Sequence, residues 1–231
     1  MRIQIRFKTE KIPIDYRLMI ISLIKKSIKK VDFDYFNELY SKEKQVNKPY
    51  TFALKLGEIN FTDKDILTDN IVITISSGDY KFLAYLQNGL LNLTTFKYKD
   101  YIMEKISLYP TENKKIITNS IICKAISPFF IYDSNQKPIS PSHEDFNEFL
   151  NNSLSAMFNK RIDVKFEPIN LKKRIVKEMS TKNNGNFLKY ETYVGTFKLS
   201  GTREDLQILY DYGMSQRRAQ GYGLFEIIKE G

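Results

Sequence analysis

Two hydrophobic periods, one of a strand and one of a helix, follow each other along this chain in an order that occurs twice. Arg2-Ile3-Gln4-Ile5-Arg6-Phe7 alternates polar and apolar residues, the period of a half-buried strand. Pro13 and Asp15 then open a helical segment through about Lys30, with Leu18, Ile21, Ile24 and Ile28 expected on its apolar face. A short second helix is expected from Asp32 to about Lys42. Tyr50 to Leu56 and Asn70 to Ser76 read as a pair of strands. Asp79 is placed to cap a helix running to about Asn88 and closed by Gly89. Leu91 to Tyr98 and Tyr101 to Tyr109 complete the half as strands. The order strand, helix, strand, strand, helix, strand is that of a ferredoxin-like unit.

The polar segment Thr111-Glu112-Asn113-Lys114-Lys115 reads as a linker, and the order then repeats. Ile116 to Ile126 is strand-like, and Pro141-Ser142 starts a helix to about Asn159. Arg161 to Glu167, Leu171 to Met179 and Leu188 to Leu199 follow as strands, the last two joined by the turn Asn183-Asn184-Gly185-Asn186. Thr202 with Asp205 opens a helix ending near Gly213, and Leu224 to Ile228 closes the sheet. The expected fold class is α+β: two tandem ferredoxin-like (RRM-like) domains with antiparallel sheets, residues 1–112 and 116–231. No repeat is visible at the level of residues.

Charge narrows the partner. The chain carries a formal net charge of +9 and a pI near 9.3, which favours an anionic partner. Hydrophobic residues make up 42%, too many for a disordered chain. The single cysteine, Cys123, sits in an apolar run and reads as a core residue, so no disulfide framework is expected and a reducing compartment fits. One Cys and one His, His143, make a zinc site improbable, and no cofactor or metal is expected. No stretch is apolar enough to span a membrane and no signal peptide is read, so the expected location is the cytoplasm, with no membrane partner.

The sharpest local feature is Gly213-Met-Ser-Gln-Arg217-Arg218-Ala-Gln-Gly221-Tyr222-Gly223, between a helix and a strand. Glycines let backbone approach a ligand and expose its N–H groups. Arg217 and Arg218 are suited to phosphate oxygens and Tyr222 to stacking on a base. The bland alternative is a glycine-bearing turn with surface arginines. The glycine spacing fits neither a dinucleotide fingerprint nor a P-loop.

With the residues that follow it, through Leu224-Phe-Glu-Ile, this segment resembles the C-terminal glycine-rich loop of the Cas-six family, the CRISPR-associated endoribonucleases that cut repeat RNA. Ser215 stands for the loop's second glycine and Tyr222 for its usual Phe. Ile75-Ser-Ser-Gly-Asp79, Lys124-Ala-Ile-Ser-Pro128 and Lys48-Pro-Tyr-Thr-Phe52 are similar to further family segments in the same order. The resemblance implies two ferredoxin-like domains side by side that bind CRISPR repeat RNA, the precursor CRISPR RNA. It also implies metal-independent cleavage: the ribose 2′-hydroxyl attacks phosphorus, leaving a 2′,3′-cyclic phosphate and a 5′-hydroxyl. Such chemistry needs a base, an acid and cations on the phosphorane.

The family often carries a catalytic His after its second short helix; here Tyr40 falls at that position. The family's first-helix Tyr falls at Lys25, and its loop Lys matches Lys48. The resemblance thus implies Lys25, Tyr40 and Lys48 as the catalytic site. A lysine of lowered pKa would act as base, and Tyr40 or Lys48 would orient groups or stabilise charge. Tyr and Lys match neutral pH poorly, so slow cleavage, or binding without cleavage, is expected. Lys172, Lys173, Arg174 and Lys177, on a strand beside the Asn183–Asn186 turn, are the expected grip on an RNA stem. Two readings stand beside the enzyme: a non-catalytic repeat-binding protein within a CRISPR surveillance complex, and an RRM-like protein acting outside CRISPR.

Overall fold

In the computed structural model, the described residues are 1–41, 46–111, 114–179 and 187–231. They form two compact units, Met1–Asn113 and Lys114–Gly231.

The first unit holds β1 (Arg2–Lys8), β2 (Lys11–Pro13), α1 (Tyr16–Val31), α2 (Phe33–Tyr40), β3 (Thr51–Leu56), β4 (Asn60–Phe61), β5 (Asp65–Leu67), β6 (Asn70–Ser76), α3 (Tyr80–Leu91), β7 (Thr95–Tyr98) and β8 (Tyr101–Thr111). Its main sheet is ordered β3-β6-β1-β8-β7, with every pairing antiparallel. Ile3, Ile5 and Phe7 of β1 are buried, as the alternation requires. The second unit holds β9 (Ser120–Ala125), α4 (Phe146–Phe158), β10 (Val164–Met179), β11 (Phe187–Gly201), α5 (Arg203–Tyr212) and β12 (Phe225–Glu230). Its sheet is ordered β10-β11-β9-β12. Counting only the four strands of the repeated pattern, both sheets run second, third, first, fourth. This is the split β-α-β arrangement of a ferredoxin-like fold, met twice.

The structure corrects the sequence reading at several points. A three-stranded sheet, β2-β5-β4, was not expected; its strands have two or three residues, too short to show a period. Leu18 is exposed and Ile21 only half-buried, because the buried face of α1 runs through Met19, Ile20, Leu23, Ile24, Ser27 and Ile28. The two strands expected at Arg161–Glu167 and Leu171–Met179 are one strand, β10, which passes Pro168 through a register shift between Pro168 and Asn170. That shift is where a strand tolerates a residue with no N–H. The turn expected at Asn183–Asn186 lies outside the described residues.

β10 is a sheet edge, and α4 covers part of it with side-chain amides. Asn147 accepts from Phe166 N at 2.6 Å and donates to its carbonyl; Asn151 does the same with Val164 at 2.9 Å each way. Ser155 Oγ accepts from Ile162 N at 2.9 Å. Residues at i, i+4 and i+8 of one helix thus stand in for a neighbouring strand, which protects the edge from foreign pairing.

Gly89 does not close α3. It lies inside the helix, buried, where an added Cβ would overlap the backbone carbonyl of Ser27 on α1. Ser27 Oγ donates to Leu23 O at 2.9 Å, so its own hydroxyl is satisfied in this tight crossing. Gly89→Ala gains helix propensity but must push two helices apart, and overpacking of this kind outweighs that gain. The expected result is a loss of about 1–3 kcal/mol in denaturant-induced unfolding.

Candidate nucleic-acid interface

In the first unit, three elements place their residues around one aromatic ring. Lys25 comes from α1, Tyr40 is the last residue of α2, and Lys48 stands in the segment before β3. Lys25 Nζ lies 4.8 Å from the centroid of the Tyr40 ring and Lys48 Nζ 5.8 Å from it. Such contacts favour the charged form of a lysine. Burial and the charge of Lys25 nevertheless hold the Lys48 ammonium below the usual lysine range. Lys48 Nζ also donates to Val46 O at 2.8 Å.

The Tyr40 hydroxyl is 3.0 Å from that of Tyr50, and either can be the donor. Burial pushes the Tyr40 hydroxyl up to about 12, so it keeps its proton at neutral pH. Tyr50 is fully buried and stacks on Phe82 of α3, 4.9 Å between centroids at 8°. Tyr40 is therefore held with both lysines near its ring and backed by the stacked Tyr50–Phe82 pair.

Two polar ties hold the frame. Ser77 Oγ donates to Pro49 O and accepts from Asp79 N. Asp79 caps α3 through Phe82 N at 3.1 Å and accepts from the Tyr35 hydroxyl of α2 at 3.2 Å. The Ser-Ser-Gly-Asp segment thus locks the chain beside Lys48 and the helix that carries Tyr40. The Asp79 cap is the one expected from the sequence; its Tyr35 contact and the supports Tyr50 and Ser77 are not revealed by periodicity, since those partners are more distant in sequence.

In the second unit, the glycine-rich segment is pinned from within. Gly213 ends α5 through N–H to Leu209 O, and Gly221 closes a short 3-10 turn at Arg218. Gly223 N donates to Pro128 O at 2.8 Å and its carbonyl accepts from Met214 N at 3.1 Å. Ser215 is fully buried, and its hydroxyl bonds both the N–H and the carbonyl of Phe130. Several of its amides face inward: the N–H groups of Gly213, Met214, Gln216, Gln220, Gly221 and Gly223 bond inside the protein.

Two side chains of this segment are placed otherwise than expected. Tyr222 has no exposed surface; its ring meets Phe130 edge-on at 5.0 Å, so it packs the protein and offers no face to a base. Arg218 is buried, donates to Tyr212 O at 3.2 Å and lies 4.6 Å over the Phe158 ring. Burial lowers its guanidinium to about 10, still charged at neutral pH. Arg217 is the exposed one, in left-handed conformation (φ 54°), with its guanidinium 4.6 Å over the Tyr190 ring of β11.

That contact joins the segment to the β10–β11 hairpin. Register places Arg174 opposite Thr192 and Val176 opposite Tyr190, so Lys172 and Arg174 share the Tyr190 face that Arg217 covers. Lys173 and Lys177 point to the other face. The four cations are thus split two and two by the strand's period. Lys173 is drawn to Glu191 at 2.7 Å. Lys177 is directly opposite Lys189, both exposed, a like-charge pair that costs free energy until an anion meets it. His143 is exposed ahead of α4, with Nδ1 accepting from Asp145 N at 3.2 Å.

Comparison with known proteins decides the family. The family model "CRISPR associated protein Cas6, C-terminal" matches residues 110–227, just over half of the chain. The chain belongs to the Cas6 family. No curated protein matches it. Its fold is similar to that of a Cas6-related protein from Pyrococcus furiosus, at TM-score 0.79 and 18% identity over 100% of this chain and 99% of that one. It is similar to a RAMP protein that binds different RNA substrates, at TM-score 0.77 and 16% identity over 99% and 100%. It is similar to a CRISPR associated protein Cas6, at TM-score 0.71 and 20% identity over 99% of each chain. At such identities the likeness is one of fold. Among the described residues of this Cas6-family chain, no helix is long and apolar enough to cross a membrane, and no group of three or more His, Cys, Asp or Glu side chains is placed to hold a metal ion.

Proposed function

We propose that this chain binds precursor CRISPR RNA and cuts it within the repeats by metal-independent attack of a ribose 2′-hydroxyl. The observation that carries the reading is the approach of both Lys25 and Lys48 to one ring, that of Tyr40, at 4.8 and 5.8 Å from its centroid. Neutral Lys48 takes the 2′-hydroxyl proton and O2′ bonds to phosphorus. The P–O5′ bond breaks, and the Lys25 ammonium protonates the leaving oxygen after stabilising the phosphorane charge. The products are a 2′,3′-cyclic phosphate and a 5′-hydroxyl, and both lysines recover their starting forms by exchange with water. Arg217 and the hairpin cations grip the repeat through phosphates.

Only the neutral form of Lys48 can take the proton, and a lysine base makes this a slow catalyst at neutral pH. Incubation with the repeat RNA of its own genome in EDTA is expected to yield one cut per repeat, ending in a cyclic phosphate, at a rate rising from pH 7 to 9. Tight retention of uncut RNA at every pH would replace this with the second reading, a repeat-binding protein without cleavage that serves surveillance-complex proteins. The observation favouring that reading is the Tyr40 hydroxyl, held by Tyr50 and protonated up to about 12 where the family often carries an imidazole.

A further inference from the structure

α2 divides into three sides. Tyr35 and Leu39 are buried. Phe33, Phe36 and Tyr40 recur at i, i+3 and i+7 and form one stripe. At about 100° per residue, Asp34 and Glu38 fall on the side turned away from that stripe. The rings follow one another: Phe33 to Phe36 at 6.3 Å and 22°, then Phe36 to Tyr40 at 5.2 Å and 35°. Cations accompany them. Lys29 Nζ is 5.4 Å from Phe33 and 5.7 Å from Phe36, and Lys25 is 4.8 Å from Tyr40. Among the described residues neither Lys25 nor Lys29 makes an ion pair. Phe33 is 54% exposed at the first position of its helix, where it buries little and stabilises little.

A lysine stem packed on one ring is common surface chemistry. Three rings in file, flanked by lysines without acidic partners and leading from open solvent to Tyr40, match the chemistry of single-stranded nucleic acid, which needs π faces for bases and cations for phosphates. Resting on the repeat-cleavage reading, we propose that the Phe33–Phe36 stripe is a subsite that stacks the unpaired bases next to the cut phosphate, with Lys29 on their phosphate. The stripe spans about 10 Å along the helix, so only nucleotides adjoining the cut reach it. It would make the protein select repeats whose cut site lies beside unpaired bases, and it positions RNA without touching the reacting atoms.

The test measures binding and single-turnover cleavage of repeat RNA, intact or with an abasic residue beside the cut. Phe33→Ala is expected to weaken binding about 5- to 100-fold, the range for loss of one stacked base. Phe33→Leu, which keeps bulk but has no π face, should lose about as much, and Phe33→Tyr should bind like the native protein. The abasic RNA should weaken the native protein by a similar factor and Phe33→Ala no further. Unchanged affinity in Phe33→Ala, or losses that multiply with the abasic RNA, overturns the subsite. Lys173→Gln/Lys177→Gln/Lys189→Gln is the control for the parent reading. If it lowers affinity and flattens the salt dependence while Phe33→Ala does neither, the subsite alone fails. If it leaves both unchanged, the repeat-binding reading fails first.

Discussion

Lys48→Met is expected to slow single-turnover cleavage of repeat RNA by roughly 10²–10⁴-fold, the usual contribution of a positioned base, while repeat affinity stays within about twofold. Methionine keeps the length of the stem and removes only the amine. Lys25→Met should cost about 10²–10³-fold, the scale of removing one group that stabilises transition-state charge. The two differ in their pH dependence. Burial and the Lys25 charge both lower the Lys48 ammonium. Its neutral form is therefore reached at lower pH than an ordinary lysine allows, and the native rate climbs with pH until that form is complete. Removing Lys25 removes one of the two causes, so Lys48 rises and the residual rate of Lys25→Met must climb at higher pH than the native rate. A Lys48→Met protein that cuts at the native rate, or a Lys25→Met profile that does not move, would remove these two lysines from the chemistry.

Why these residues meet is only partly legible in the sequence. The order of elements follows from hydrophobic periods, which are local, and both sheets carry the strand order that this element order demands. Lys25, Tyr40 and Lys48 share no local pattern; family resemblance places them in one set, and the geometry adds Tyr50, Ser77 and Asp79 around them. The adjacent Arg217 and Arg218 show the limit most clearly. As residues they are identical. A left-handed backbone at Arg217 turns one outward onto Tyr190, while the other is roofed by Phe158 of α4 and caught by the Tyr212 carbonyl. The Asn147, Asn151 and Ser155 ladder is hidden for the same reason: polar residues on a helix read as a solvent face until β10 is known to end there. Tyr222, chosen as a stacking residue for its ring, is instead part of a small aromatic cluster with Phe130 and Tyr190.

The glycine-rich segment emerges as a frame for Arg217, and Gly223→Ala is expected to damage that frame severely. Gly223 has φ +76°, which costs a residue with a Cβ about 1–2 kcal/mol. The added carbon would also overlap the backbone nitrogen and Cβ of Ser215. The backbone cannot retreat cheaply, because Gly223 N is bonded to Pro128 O and its carbonyl to Met214 N, while Leu224 N is bonded to Ser127 Oγ. The expected total is about 3–5 kcal/mol, the upper range for one substitution and a large share of the stability of a domain this size. Hydrogen exchange should show protection lost over β9, α5 and β12, and repeat affinity should fall through the unfolded fraction. Ser215→Gly, which restores the glycine usual in the family's loop, removes two hydrogen bonds to Phe130 and should cost only about 1–3 kcal/mol. Combining the two does not rescue Gly223→Ala, because the overlap with the Ser215 nitrogen persists whatever side chain stands there. A Gly223→Ala protein with native exchange protection would show that this loop tolerates a side chain, and that Arg217 owes its place to Tyr190 alone.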